Sequence, residues 1–230
     1  MSKKLIAFST LIISLLIGLA LLFAFHYKEQ LSGGVEKHWI QASAKMGMVI
    51  LDDKGLLATD ISKLFLFQFG QDKRVHRLAR GVIEGQLYYC FDFTSSKRKW
   101  GSATYPQSAT VIAFPLKDVN LPFFWLKYGA RRTWYRNISF NDYPAFSDNF
   151  IVSGPNEKSI KALFNSHLRR LFIDLTKSKS MRSLSLDNMR MDGGKEWLIV
   201  YSADKYLQSH ELAPWIKRAS HIKKQLLRSI

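Results

Sequence analysis

Two short segments combine cationic and aromatic side chains in a pattern that suits the binding of anions. They are Lys97-Arg98-Lys99-Trp100 and Arg131-Arg132-Thr133-Trp134-Tyr135-Arg136. Ammonium and guanidinium groups attract lipid phosphates, and Trp and Tyr favour the water–lipid interface. The alternative is a pair of solvated loops whose aromatic rings fill the core. Under the first interpretation, the predicted binding residues are Lys97, Arg98, Lys99, Trp100, Arg131, Arg132, Trp134 and Arg136.

A single carboxylate, Asp92, interrupts an aromatic, strand-like run between Phe91 and Phe93. Alternation along a strand places Asp92 on the face opposite the two rings. There it either faces solvent or pairs with an arginine from the segment 74–80. We favour a structural ion pair over a catalytic acid.

The remaining chemistry-bearing residues match no catalytic or metal-binding pattern. The six histidines show neither HxxxH nor HExxH spacing, and the chain has no GxSxG, Walker or dinucleotide-binding motif. The sole cysteine, Cys90, lies within an apolar run and is expected to be a buried, inert thiol. The sequence therefore predicts no catalytic residue, metal or cofactor.

An uncharged run of 21 residues, 5–25, follows a short basic tail at 1–4. At 1.5 Å per residue this run reaches about 30 Å as a helix, which is enough to cross the hydrocarbon core of a bilayer. Apolar residues continue past the small triplet Gly18-Leu19-Ala20, which disfavours a cleaved signal peptide. We predict a signal-anchor: one retained transmembrane helix in a bacterial inner membrane.

The charges that flank the anchor indicate its orientation. Lys3, Lys4 and the α-amine precede the anchor, whereas Lys28 and Lys37 follow it. The margin of one charge leans towards a periplasmic C-terminal domain.

The rest of the chain is predicted to form a juxtamembrane linker at 26–35 and an α+β domain at 36–230. The apolar content of 47 % and the 16 phenylalanines predict a packed core. The formal net charge of +16 predicts attraction to anionic partners. A generally solvated basic surface with no dedicated partner is the alternative.

Hydrophobic periodicity predicts a largely antiparallel sheet with helices packed on one face. Two hairpins are expected, with turns at Glu84-Gly85 and Asp192-Gly193-Gly194, and residues 95–106 are expected to form a loop. The predicted strands are 64–69, 74–83, 86–94, 108–116, 122–128, 132–140, 183–191 and 195–202. The predicted helices are 36–46, one continuous segment through 160–175, and 210–228, and a turn is expected at Asp52-Asp53.

The final helix separates apolar from cationic positions. Its predicted buried stripe is Leu212, Trp215, Ala219, Ile222 and Leu226. Its opposite face carries Lys217, His221, Lys224 and Arg228, which makes this helix a further candidate contact surface.

Several segments resemble an uncharacterised family of bacterial single-pass membrane-anchored proteins. They are RVHRLARGVIEGQLYYCFDF, TVIAFPL, LPFF, FSDNFIVSGPNEKSIKALF and KEWLIVYS. The resemblance implies hairpin roles for Gly81 and Gly85, packing roles for Phe146 and Phe150, and a close helix approach at Gly154. It implies no activity. Many members carry an arginine cluster after the anchor, which implies a cytoplasmic domain, and this chain lacks that cluster.

These observations predict a membrane-anchored, non-catalytic binding or scaffold module. Its basic surface would engage anionic lipid headgroups or an acidic protein partner. The alternative is a hydrolase-like enzyme acting on an envelope substrate, with Asp92 and a neighbouring arginine or histidine in its site. Nucleic acid is the least favoured partner because no nucleic-acid-binding module pattern is present.

Overall fold

The computed structural model describes residues 37, 39–51, 60–68, 70–98, 104–116, 119–129, 137–177, 189–203 and 205–230. The predicted anchor, the linker and the expected turn at Asp52-Asp53 lie outside these ranges. Within them, no helix combines the length and the apolar character that crossing a membrane requires. The chain divides into two compact units, Met1–Gln41 and Ala42–Ile230, and the second contains the sheet.

Eight strands in the described chain form one sheet in which every neighbouring pair is antiparallel. Their spatial order is β1-β2-β3-β4-β8-β7-β5-β6. The strands are β1 (Val49–Ile50), β2 (Gln71–Ile83), β3 (Gln86–Arg98), β4 (Thr104–Pro115), β5 (Leu121–Tyr128), β6 (Phe150–Ser153), β7 (Met189–Lys195) and β8 (Trp197–Ala203). The predicted α+β class with an antiparallel sheet is confirmed.

Helices pack on both faces of this sheet, rather than on the one face expected. The helices of the described residues are α1 (39–45), α2 (Phe65–Gln68, after a 3₁₀ turn at Asp60–Lys63), α3 (Pro144–Asn149), α4 (Glu157–Leu163), α5 (Ser166–Lys177) and α6 (Ser209–Leu227). The α2 ring of Phe67 lies 4.8 Å from Phe93 on one face. On the other face, Lys223 Nζ of α6 lies 5.0 Å from the ring centre of Phe114.

The hairpin of β2 and β3 has the predicted two-residue turn. Glu84 and Gly85 have φ values of 51° and 74°. Positive φ at both central residues is required by the two-residue turn whose twist matches that of the flanking strands. Gly81 lies one residue before Val82 in β2. A Cβ at Gly81 would lie 2.5 Å from the Tyr88 hydroxyl of the opposing strand, so this close cross-strand approach requires glycine.

The other residues that the resemblance singled out also have packing roles. The rings of Phe146 and Phe150 stack with centres 5.0 Å apart. A Cβ at Gly154 would lie 2.4 Å from the carbonyl oxygen of Phe123. The chain can therefore leave β6 towards α4 only with glycine at this position.

Three expected strand or loop assignments are wrong. The run from Leu64 through Gln68 forms a helical turn, because a short continuous apolar run has the same pattern in a buried helix as in a strand. Residues 137–140 of the expected strand 132–140 are irregular. The expected loop 95–106 begins and ends in strands, because β3 continues to Arg98 and β4 starts at Thr104.

The predicted turn at Asp192-Gly193-Gly194 is also wrong, although the hairpin of β7 and β8 exists. Gly193 and Gly194 lie within β7 and pair with Leu198 and Trp197. A Cβ at Gly193 would lie 2.3 Å from the Phe124 ring. These glycines therefore make room for aromatic rings of β5 instead of forming the turn.

The continuous helix expected through 160–175 is broken between α4 and α5. The side chain of Asn165 accepts a hydrogen bond of 3.0 Å from Leu168 N at the start of α5. A side-chain acceptor at this point satisfies a backbone N–H that has no partner inside the helix.

Replacing Gly193 with alanine should destabilise the protein by about 1–3 kcal/mol, because the new methyl group overlaps the buried Phe124 ring. Thermal or denaturant unfolding of the full chain in mild detergent measures this change. Adding Phe124→Leu should reduce the penalty of Gly193→Ala, since the smaller side chain vacates the space. An equal penalty in both backgrounds would contradict this packing argument.

Candidate functional site

The two predicted cation–aromatic segments fall almost entirely outside the described residues. Lys97 and Arg98 have a described backbone at the end of β3, where they pair with Tyr105 and Thr104. Lys97 and Arg98 therefore belong to a strand and not to a loop. The predicted contacts of the remaining residues stay predictions: Lys99, Trp100, Arg131, Arg132, Trp134 and Arg136.

The predicted polarity of the final helix is confirmed in α6. Leu212, Trp215, Ala219, Ile222 and Leu226 are all buried. On the opposite face, four exposed residues follow one another at intervals of four, three and four positions. We call these residues the basic stripe: Lys217, His221, Lys224 and Arg228.

Few acidic side chains lie near the basic stripe to neutralise its charge. The single acidic residue within α6 is Glu211, which accepts hydrogen bonds of 2.8 Å from Lys205 Nζ and from Gln208 N. Burial acts to raise the pKa of Glu211, but these two hydrogen bonds outweigh it and the pKa is lowered. Glu211 is thus an ionised cap at the start of the helix, two turns from the stripe.

One described carboxylate approaches the basic stripe from another element. Glu84, in the turn of the β2–β3 hairpin, has its Oε2 atom 3.8 Å from Lys224 Nζ, and both side chains are exposed. In the described part of the chain, Lys217, His221 and Arg228 form no ion pair. The stripe therefore keeps most of its charge available to an external anion.

A second cluster of polar groups crosses the sheet and is buried at three of its four positions, with His76 exposed at one end. His76, Asp92, Thr110 and Ser202 are successive register partners on β2, β3, β4 and β8. Register partners share a sheet face, so these four residues form a polar row across four strands.

A β-bulge brings Arg77 to this row. The register of β2 against β3 shifts between His76 and Ala79, and Arg77 has a φ of 51°. The extra residue re-aims the side chain, so that the Arg77 guanidinium donates to Asp92 Oδ2. Its Cζ atom also lies 5.4 Å from the ring centre of Tyr206, in the range of a cation–π contact.

The polar row also fixes the start of α6. The Thr110 hydroxyl donates to Asp92 Oδ1 at 2.5 Å and accepts from Leu207 N at 2.9 Å. The Ser202 hydroxyl donates to the carbonyl oxygen of Lys205 at 2.8 Å. The connection between β8 and α6 is thus hydrogen-bonded to the centre of the sheet.

These contacts confirm the predicted structural ion pair and show that a solvent-facing Asp92 is wrong. The Asp92 side chain is 1 % exposed, and each of its oxygens already accepts a hydrogen bond. A substrate has no access to this carboxylate. The sequence identified Asp92 and the arginine segment, but not Thr110 or Ser202, because buried hydroxyl residues carry no periodic signal.

The predicted burial of Cys90 is confirmed as well. Burial raises the pKa of the Cys90 thiol to about 12, so the reactive thiolate is scarce at neutral pH. Burial also raises the pKa of the neighbouring Tyr88 to about 12. Neither group is poised to act as a nucleophile or a base.

A cavity of about 250 Å³ opens beside β5. Its walls include the apolar side chains Phe123, Phe124 and Trp125. Its polar side chains are Lys63, Gln68 and Ser153, and none of the described side chains that line it is a carboxylate or an imidazole. The cavity is smaller than typical ligand pockets of about 300–1,000 Å³. Within the described ranges, no three metal-ligating side chains come together.

Comparisons with known proteins place the chain in no family. No family model matches it and no curated protein matches it, so the family resemblance stays a prediction. The chain is similar to a crystal structure of the mycobacterial trehalose monomycolate transport factor A, TtfA, with a TM-score of 0.48 and 13 % identity. The match covers 86 % of this chain and 96 % of that one. A similarity at this level supports no argument about function.

Replacing Asp92 with asparagine should lower the free energy of unfolding by about 3 kcal/mol, because it leaves the Arg77 charge without its buried partner. Denaturant unfolding of the full chain in detergent measures the loss. Asp174→Asn is the control, since Asp174 and Lys177 are both exposed and 3.9 Å apart. That surface pair should contribute less than about 0.5 kcal/mol.

Alkylation of Cys90 gives a second measurement of the same change. Iodoacetamide should label Cys90 only when the sheet opens, so Asp92→Asn should speed labelling by roughly a hundredfold. Rapid labelling of the wild-type protein, or equal rates in both proteins, would contradict the account of the buried row.

Proposed function

We propose that the protein is a non-catalytic binding module, anchored in a membrane by residues 5–25, whose basic surface binds anionic lipid headgroups. The basic stripe of α6 is the observation that carries this proposal. Its four side chains are exposed along three turns of one helix, and the opposite face of that helix is held in the core. A fixed row that contains Lys217, Lys224 and Arg228 is suited to bind several headgroups at once.

The apolar segment 5–25 favours lipid over other anions. A domain tethered at a bilayer surface meets headgroups at a far higher local concentration than any soluble partner. An acidic protein partner remains the second candidate, because the same charges would attract it. Lysine and arginine near an anionic surface contribute about 1 kcal/mol each.

The enzyme alternative receives no support from the described residues that it named. Asp92 is buried and paired with Arg77, and His76 is held at 3.1 Å from the Thr94 hydroxyl. Among the described residues that line the cavity beside β5, none is an aspartate, a glutamate or a histidine. These observations favour the binding module.

We further propose that the anchor lies in a bacterial inner membrane with the domain in the periplasm, as the flanking charges indicate. A reporter active only in the periplasm, fused after Ile230, should be active. A reporter active only in the cytoplasm should be inactive in the same position. The reverse pattern would place the domain among cytoplasmic partners and inner-leaflet lipids.

Charge reversal on the basic stripe should weaken lipid binding. We expect a fragment of residues 36–230, once its cooperative unfolding is established, to sediment with phosphatidylglycerol vesicles at low salt. Binding should decline as salt screens the charges. Lys217→Glu with Arg228→Glu should weaken it at least about tenfold.

Lys158→Glu with Arg170→Glu is the matched control, because it removes the same net charge from exposed positions on α4 and α5. Binding by this variant should stay within about threefold of wild type if the stripe is the contact surface. Equal losses in the two variants would mean that only net charge matters. Equal sedimentation with neutral vesicles would refute the lipid proposal, and binding to acidic protein alone would favour the second candidate.

A further inference from the structure

The tip of the β2–β3 hairpin exposes two apolar side chains that the core does not use. Val82 is 64 % exposed and Leu87 is 38 % exposed. They are direct register partners, one pair away from the turn at Glu84 and Gly85. They therefore form one apolar pair on a narrow projection of the sheet.

This apolar pair lies at the same end of the sheet as the basic stripe, but on the face opposite α6. Lys224 of the stripe reaches Glu84 in the turn of the same hairpin, with 3.8 Å between Nζ and Oε2. Arg80 is also exposed, two residues before Val82 on the same strand. Cationic and apolar groups thus share one end of the described domain.

We propose that this hairpin tip inserts Val82 and Leu87 into an anionic lipid bilayer while the basic stripe binds the surrounding headgroups. The inference rests on the proposed function and adds to it the element that enters the membrane. An apolar surface flanked by lysine and arginine is the combination that binds the headgroup–acyl boundary of anionic membranes. An acidic protein would pair with the stripe but would not need the apolar pair.

The single acidic residue in the turn is compatible with insertion. Glu84 lies beside Lys224, so the two opposite charges meet headgroups as a pair and not as an isolated carboxylate. The turn itself contributes only Glu84 and Gly85. The apolar pair can therefore reach the acyl boundary without a long polar loop in front of it.

The test uses the full chain in nanodiscs. An environment-sensitive fluorophore is attached to Val82→Cys, and Cys90 needs no replacement because its thiol is buried and its pKa is about 12. In discs containing phosphatidylglycerol, lipids with a quencher on the acyl chain should quench this probe. In neutral discs, and in the Lys217→Glu with Arg228→Glu background, quenching should fall to less than about half.

Two further probes separate the inference from the proposed function. Ser229→Cys, next to Arg228, should be quenched by a headgroup quencher, whereas Ala162→Cys on the exposed face of α4 should respond to neither lipid. Headgroup quenching at Ser229 without acyl quenching at Val82 would overturn the insertion and leave the proposed function standing. Quenching at neither position would overturn both, and acyl quenching of equal strength in neutral discs would overturn the role of anionic lipid.

A functional comparison of apolar variants completes the test. Val82→Ser with Leu87→Ser should weaken association with anionic discs by roughly tenfold, because it removes both apolar contacts without adding charge. The pair is exposed, so the melting temperature should change little. Unchanged association in a folded variant would contradict the proposal.

Discussion

The carboxylate of Asp92 lies almost fully out of water in the middle of the sheet, so its charge has to be compensated inside the protein. A regular β2 strand would not bring Arg77 to the same face, and the bulge at 76–79 does so. The left-handed backbone of Arg77 costs about 1 kcal/mol. An unpaired buried charge costs about 3–5 kcal/mol. The ion pair therefore outweighs the strain, and the bulge is stable.

The same carboxylate determines where α6 begins. Thr110 links Asp92 to Leu207 N, and Ser202 holds the carbonyl of Lys205. The connection into α6 is therefore fixed at its first turns. The apolar stripe of the helix then packs on the sheet, and the rotation that buries Trp215 leaves Lys217, Lys224 and Arg228 exposed. The hydrogen bonds of the polar row and the exposure of the basic stripe therefore both depend on how the chain connects β8 to α6.

Sequence periodicity predicted α6, because helical spacing records its single buried face. It also indicated β4 as a short apolar run, although every residue from Ala109 to Phe114 is buried and this stretch has no exposed face. It failed where other forces decide the structure. Gly193 and Gly194 were assigned to a turn because the space required by Phe123 and Phe124 of a distant strand is not visible locally. The run after Leu64 was assigned to a strand, since a fully apolar segment has no face. For the same reason, the sequence predicted only part of the candidate site. The cationic residues Lys217 and Arg228 are visible in the sequence, but the apolar pair is defined by the register between two strands.

The central claim is that the end of the domain carrying the basic stripe and the β2–β3 turn lies on anionic lipid. Hydrogen–deuterium exchange of the full chain in nanodiscs tests this claim most directly. The amides at 83–87 lie in the hairpin turn and the strand ends beside it, and those at 227–230 lie at a helix end, so they exchange readily unless something covers them. Discs containing phosphatidylglycerol should slow exchange in both segments relative to neutral discs, and 157–163 should be unchanged. Identical exchange in the two kinds of disc, or protection centred on α4, would contradict this account.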